Sequence, residues 1–385
     1  MIDSFETLIT VPTYWTYEEG KKDYENAIYD HPTPINQNGT LSRLLESLKV
    51  IKGVNFGVLV LSTVTNPELK TVVETKVDKI IDPFKRTFPI AQFSFSDLKI
   101  LNELGIKKGM VSLEGYGNIR NIQLILAQVM GAQVVIGLDD DEIITDRNYL
   151  KKIWEFIGKE HDGKLVGGIA GFYRNSAGNN KVAKEKIKSG NIFDRKLNIM
   201  DNAVKMVEEK PNRLVETNFV YGGNMAIHRQ VFQNIPFDPY ISRGEDIDYL
   251  INARMAGYHF FLDKDLFIVH LPPASGSHLQ EDVKRFIYEK GKLDATKEMP
   301  GLNTVLAESL EPYPGLFLHD DIEKQAAEAL RDHLLPQEIV NDAKNYTQKM
   351  LPRYFDFKKE WPHLMEVLQD NVILKERLKH KMKIL

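Results

Sequence analysis

The sequence predicts an α/β fold, a mainly parallel sheet wound with helices and followed by a helical C-terminal region. Three observations predict it. Short apolar runs rich in β-branched residues alternate with helical segments over the first two thirds of the chain, the pattern of a parallel sheet. One such run, residues 132–138, ends abruptly in four consecutive carboxylates, Asp139, Asp140, Asp141 and Glu142. The carboxyl end of a buried strand is where α/β sheets bind ligands. From about residue 277 onward, the apolar residues keep only a helical period.

Composition narrows the classes. The chain has 385 residues, 43% of them hydrophobic and 27% charged, enough for a sizeable core and two or three structural units. A net charge of -4 carries no signal for nucleic acid. The chain has no cysteine, which excludes disulfides, thiolate zinc sites and Cys nucleophiles. Residues 1–6 show neither the basic nor the apolar part of a signal peptide, and no apolar run is long enough for a bilayer, so the expectation is a cytoplasmic protein.

Taken in order, residues 8–11 form a strand stopped by Pro12, with Pro12, Thr13 and Tyr14 as the turn at its carboxyl end. Residues 16–39, including Asp30-His31-Pro32-Thr33-Pro34, have no periodicity and read as a long functional loop. Thr40 caps a helix bearing Leu41, Leu44, Leu45 and Leu48. A strand over 54–62 precedes a helix over 67–81 with Pro67 in its first turn. A short strand over 108–113, then Gly115-Tyr116-Gly117, leads to a helix over 122–130 that delivers the chain to the acidic strand. The two glycines resemble the start of a dinucleotide fingerprint. Arg120 stands where its third glycine must be, which argues against a dehydrogenase.

Beyond the acidic strand, residues 165–172 form a strand and 175–213 a lysine-rich insertion with a helix at 200–207. A strand over 219–227 contains Gly222 and Gly223, which let the backbone approach a ligand closely. A short helix covers 229–234. Arg243-Gly244-Glu245-Asp246 opens a further helix, closed by Gly257. Strands at 258–261 and 266–269 end at His270. In the C-terminal region Pro336 is a break and a helical run follows Pro362. The last helix is basic and amphipathic, with Leu374, Leu378, Met382 and Leu385 among five cations. It suits solvent, the favoured reading, or peripheral contact with an anionic membrane.

Residue by residue, alternatives stay open. The acidic strand end fits a hard divalent cation shared with a phosphate, or a solvated turn capping the next helix. Glu245, Asp246 and Asp248 suit a helix dipole as well as chemistry. His270 fits a ligand or a structural histidine.

In their order, these segments resemble the GT-A glycosyltransferases, family 2 above all, over residues 8–273. The resemblance implies a Rossmann-like GT-A catalytic domain over 1–275, with a nucleotide-sugar half to about 145 and an acceptor half from 146, then a helical region over 276–385. Pro12, Thr13 and Tyr14 are then the turn beside the nucleotide base. Ser62 takes the place of the family's acidic base-reading residue, which leaves UDP or GDP open. Arg120 and Asn121 are expected near the nucleotide, and Asp139, Asp140 and Asp141 form the Asp-x-Asp motif. Gly222, Gly223 and Asn224 form the acceptor-side strand. Glu245 and Asp246 match the pair that carries the base in inverting members, and His270 matches a metal-binding histidine.

The chemistry implied is sugar transfer from a UDP- or GDP-sugar to a carbohydrate or small hydroxylated acceptor. The diphosphate leaving group needs neutralising by Mn²⁺ or Mg²⁺. Asp141 is the first expected ligand and His270 the second, with Asp139 on ribose or a metal-bound water. Asp246 is the expected general base, with Glu245 positioning acceptor or sugar. Helices after a GT-A core are similar to the retaining mannosylglycerate synthase type, so inversion is expected with retention as the alternative. An inactive nucleotide-sugar-binding protein is a further alternative, and a homo-oligomer stays open. A sugar nucleotidyltransferase is disfavoured, because Pro12-Thr13-Tyr14-Trp15 replaces its glycine-rich loop.

Overall fold

The computed structural model describes residues 5–19, 29, 32–103, 111–183, 185–187, 190–272, 278–369 and 371–382. Strand β1 (Thr7–Thr16) is buried on both faces: Leu8 joins the core on one side of the sheet, Ile9, Val11 and Trp15 the core on the other. After the two-residue β2 (Thr33–Pro34), α1 (Leu41–Leu48) lays its four leucines on that second core. Then come β3 (Phe56–Val64), α2 (Lys70–Ile81), β4 (Ile90–Phe93), α3 (Phe95–Glu103), α4 (Tyr116–Met130) and β5 (Val134–Gly137). The middle of the chain forms β6 (Glu142–Ile143), α5 (Tyr149–Phe156), β7 (Glu160–His161), β8 (Lys164–Arg174), α6 (Lys196–Glu208), β9 (Leu214–Glu216) and β10 (Met225–His228). It ends with α7 (Arg229–Phe232), α8 (Glu245–Met255), β11 (His259–His270), α9 (Leu279–Thr296), α10 (Ile322–Ala329), α11 (Pro336–Gln369) and α12 (Val372–Lys381).

The main sheet runs β4-β3-β1-β5-β10-β8-β11-β6. β4, β3, β1 and β5 are parallel to one another, as are β8 and β11, while β10 is antiparallel to both its neighbours. This is the mixed α/β, mainly parallel class expected from the sequence. The chain winds outward from β1 to β4, and α4 then carries it back to β5 on the other side of β1. The strand order therefore reverses between β1 and β5, which opens a crevice beyond their carboxyl ends.

Several boundaries differ from expectation. β1 does not stop at Pro12 but pairs with β3 as far as Trp15 opposite Val64. The Thr10 carbonyl accepts the Leu138 N–H on the β5 side, where the ladder ends at Thr10 opposite Gly137. Two residues on, Pro12 faces that same side past the end of β5, so its missing N–H breaks no ladder bond. Thr40 makes no cap bond to α1. α4 starts at Tyr116, placing Arg120 and Asn121 inside a helix. Residues 222–224 form a 3₁₀ turn, which shortens the expected strand to β10. The two strands before His270 are one, with a register irregularity between Leu262 and Phe267. Pro336 begins α11, and Pro352 and Pro362 lie inside it. Of the expected strand at 108–113, residues 108–110 lie outside the described residues, and 111–113 are not in a strand. In the 16–39 loop, residues 20–28, Asp30 and His31 lie outside them too, as do residues 383–385 of the last helix.

The C-terminal helices share the first core. Phe286, Tyr354, Trp361 and Leu368 cluster with Ile122 and Leu126 of α4 and Leu250 of α8. Buried polar bonds fix the arrangement: Gln128 Nε2 donates to the Met365 carbonyl (2.7 Å) and Trp361 Nε1 to that of Phe232 (2.8 Å). Lys292 of α9 pairs with Asp238 (2.6 Å) and Asp248 (2.7 Å), all three side chains nearly inaccessible. The basic last helix docks on the protein itself: Leu374 and Leu378 are buried, and Arg377 and Lys381 converge on the fully buried Asp97. Among the described residues, no helix is long and apolar enough to cross a membrane.

Candidate active site

The acidic strand end lies at the crevice, and its four carboxylates are divided among partners rather than pooled. Asp140 accepts hydrogen bonds from Thr13 (2.7 Å) and Thr40 (3.0 Å), so Thr40 ties α1 to the acidic turn instead of capping its helix. Burial pushes the Asp140 carboxyl up to about 7, opposed by the Thr13 hydroxyl and reinforced by Asp141. Glu142 turns back to accept the Asp139 N–H (2.9 Å). Burial, then the charges of Asp139 and Asp141, hold its carboxyl well above the usual range. Asp139 is paired with Arg120 (3.0 Å).

Asp141 is left facing His270. The β6–β11 ladder sets Glu142 opposite His270, and Asp141 Oδ2 stands 3.5 Å from His270 Nε2, too far for a good hydrogen bond. The other oxygen, Asp141 Oδ1, is buried without a partner. Two such donors suit adjacent positions on one hard cation, whose ligands lie roughly 2.1 Å from the ion and so about 3 Å from each other. Among the described residues no group of three or more His, Asp or Glu side chains forms a metal cage. One carboxylate and one imidazole, with phosphate oxygens and waters for the rest, is an arrangement that Mg²⁺ or Mn²⁺ accepts. The donor set thus fits such an ion.

Arg120 joins this acidic end to the opposite wall. Its Nη2 reaches Asp139, its Nε reaches Glu245 (3.3 Å), and its Nη1 is buried without a partner. Burial pulls the guanidinium's proton affinity down, but Asp139 and Glu245 more than offset this and hold it above its ordinary value. Glu245 starts α8, preceded by Gly244 in the left-handed region (φ 67°), which no branched side chain adopts readily. Its carboxyl is raised by burial and by Asp246. Asp246 accepts the N–H groups of Gly222 (2.9 Å) and Ile247 (2.8 Å), and burial raises its proton affinity against the pull of Arg285. Between the two walls lies the 222–224 turn. A Cβ on Gly223 would stand 1.9 Å from Glu142 Oε1 and 2.7 Å from Asp139 Oδ2, so any side chain there would have to displace these carboxylates.

No family model matches the sequence, and no curated protein matches it. In structure the chain is similar to a mannosyltransferase from Pyrobaculum calidifontis determined with GDP-Man and Mn²⁺ (12% identity, TM-score 0.48, 97% of this chain and 86% of that one). It is also similar to S. aureus TarS (13% identity, TM-score 0.49), where 97% of this chain spans only 55% of the other. A third likeness is to glucosyl-3-phosphoglycerate synthase from Mycobacterium tuberculosis determined with Mn²⁺, UDP-glucose and phosphoglyceric acid (14% identity, TM-score 0.41, 78% of this chain and 82% of that one).

The geometry of the crevice sorts the expected site residues. Thr13, Arg120, Asp139, Asp140, Asp141, Gly222, Gly223, Glu245, Asp246 and His270 come together around the crevice. Tyr14 lies on β1 rather than in a turn, its ring 4.4 Å from Tyr29 and 5.7 Å from Tyr116. Ser62 is buried and donates to Gln92. Asn121 and Asn224 are scaffold residues. The Asn121 amide is fully engaged with the backbone of Phe237 (2.9 and 2.8 Å), and that of Asn224 with Tyr149 (2.7 Å) and the Phe172 carbonyl (3.2 Å). Two residues at the site carried no sequence expectation of this kind: Thr40, read as a cap, and Tyr173, whose only signal was an aromatic ring at the end of a buried strand.

Proposed function

We propose that this chain is a GT-A-type glycosyltransferase that moves a sugar from a UDP- or GDP-sugar to an acceptor hydroxyl with Mn²⁺ or Mg²⁺, inverting the anomeric centre. Residues 1–275 carry the chemistry and 276–385 buttress it. One observation carries the reading: Arg120 ties Glu245 to Asp139 at the acidic strand end, where Asp141 meets His270, and Asp246 holds the glycine turn 222–224. Asp141 and His270 would hold the cation, which when bound neutralises the diphosphate leaving group as a Lewis acid. Asp246 takes the proton from the acceptor hydroxyl. Its two backbone N–H bonds fix the carboxylate's direction, and burial moves its proton affinity toward the range where a general base works best. Arg120 pairs with Glu245 on one side and Asp139 on the other, so that the two walls hold their spacing.

The test is a panel of UDP- and GDP-sugars incubated with the protein and Mn²⁺, reading nucleoside diphosphate release. Release with one donor that stops on chelation supports the reading. No release with any donor, together with no Mn²⁺-dependent binding of UDP or GDP, overturns it. The anomeric linkage of the product, read by NMR, decides inversion against retention.

A further inference from the structure

Tyr173 sits one residue before the end of β8, opposite Ile268 of β11 and so beside His270. Its ring is flanked by two others. Tyr221 stacks on it at 4.3 Å and 17°, and the His270 imidazole lies 4.5 Å away at 40°. Its hydroxyl accepts the Gly223 N–H at 2.8 Å, and a Cβ on Gly223 would stand 2.5 Å from that oxygen.

Among the described residues, His270 makes no hydrogen bond through its second ring nitrogen, Nδ1. Imidazoles that bind metals are usually oriented by such a bond. Here a ring face is available to do that instead, and the phenol's other end fixes the backbone of the glycine turn.

We infer that Tyr173 is the positioning residue of the site: its ring orients His270 toward Asp141, and its hydroxyl holds the 222–224 turn where the donor sugar passes. This rests on the reading of Asp141 and His270 as cation ligands. The two halves of the side chain separate by substitution. Tyr173→Phe keeps both ring contacts and loses the hydroxyl, with its bond to Gly223 and its interaction with Glu142. It should leave Mn²⁺ affinity within twofold of the parent and raise the KM for the sugar nucleotide about fivefold, more than it lowers kcat. Tyr173→Leu and Tyr173→Met remove the ring. They should weaken Mn²⁺ binding roughly 10- to 100-fold, the usual cost of losing an orienting partner.

Mn²⁺ binding is read from the free-ion EPR signal in the presence of UDP or GDP, which needs no turnover. In a His270→Ala background, Tyr173→Leu should add no further loss, because the ring would have nothing left to orient. A folded ring-less variant that binds Mn²⁺ like the parent overturns the ring's role. Unchanged KM in Tyr173→Phe, which is isosteric apart from one oxygen, overturns the hydroxyl's role even if the ring-less variants do not fold. A parent protein that binds no Mn²⁺ overturns the cation reading itself, and this inference with it.

Discussion

Replacing Arg120 with methionine keeps most of the side-chain volume and removes the cation between Asp139 and Glu245. Arg120 and Glu245 have side chains only 6% and 10% exposed, whereas Asp139 is 31% exposed. Breaking a buried pair from one side costs about 3–5 kcal/mol. Solvent can reach Asp139, so most of its share is screened. The cost concentrates on Glu245 and comes to about 2–3 kcal/mol at pH 8. It should also depend on pH. Burial and Asp246 already place the folded Glu245 carboxyl above its unfolded value, and Arg120 opposes them. A carboxyl that binds its proton more tightly in the folded state loses stability as pH rises from the unfolded pKa through the folded one. Without Arg120 that loss grows by about 1.4 kcal/mol for each further unit. The deficit of Arg120→Met should therefore be smaller at pH 5, where Glu245 can take a proton, than at pH 8. Urea unfolding of parent and variant at both pH values measures it, provided the m value is unchanged. Arg120→Met combined with Glu245→Gln should recover much of the pH 8 loss. A deficit equal at both pH values, or larger at pH 5, would refute the coupling of Arg120 to Glu245.

Three further outcomes follow from the same geometry. Asp141→Ala should abolish the gain in UDP or GDP affinity that Mn²⁺ gives, and His270→Ala should weaken it. Calorimetry with and without chelator decides, and a lowered Tm with unchanged metal dependence would return either residue to a structural role. Asp246→Asn should leave Mn²⁺-dependent donor binding intact and cut turnover by roughly 10²–10⁴-fold; turnover near the parent's would remove Asp246 as the base. Gly223→Ala should cost about 1–3 kcal/mol of stability by urea unfolding, since the methyl meets the Glu142 and Asp139 carboxylates, which are held through their other oxygens, and an unchanged midpoint would mean that the turn relaxes freely.

Much of this was legible in the sequence because the signals were local. The apolar run into Asp139–Glu142, the glycines at 222 and 223 and the Glu245–Asp246 helix start each announce themselves within a few residues. What misled was decided by distant partners. Pro12 reads as a stop, but the neighbouring strand had already ended on the side it faces. Thr40 reads as a cap until Asp140, a hundred residues on, claims its hydroxyl. Asn121 has the right type and place for a nucleotide contact, yet the Phe237 backbone takes both ends of its amide. Pro336 reads as a break and Pro362 as the residue before a new helical run, but Pro336 opens α11 and the helix is held through Pro362 by packing against α9 and α4. Tyr173 could not be found from its neighbours in sequence, because what distinguishes it is a ring on another strand.

The docking of α12 on Asp97 has a consequence for how the protein comes into being. Asp97 is fully buried, and its two cationic partners lie 280 and 284 residues further along the chain. During synthesis the outer edge of the sheet around β4 and α3 is made early, and its Asp97, bonded locally by Ser94, waits for its two cations until residues 377 and 381 leave the ribosome. Contacts of such sequence separation form late and slow folding. Segments far apart in the chain are therefore partners in a late step of assembly, and a nascent chain stopped short of residue 377 lacks both cations that pair with Asp97.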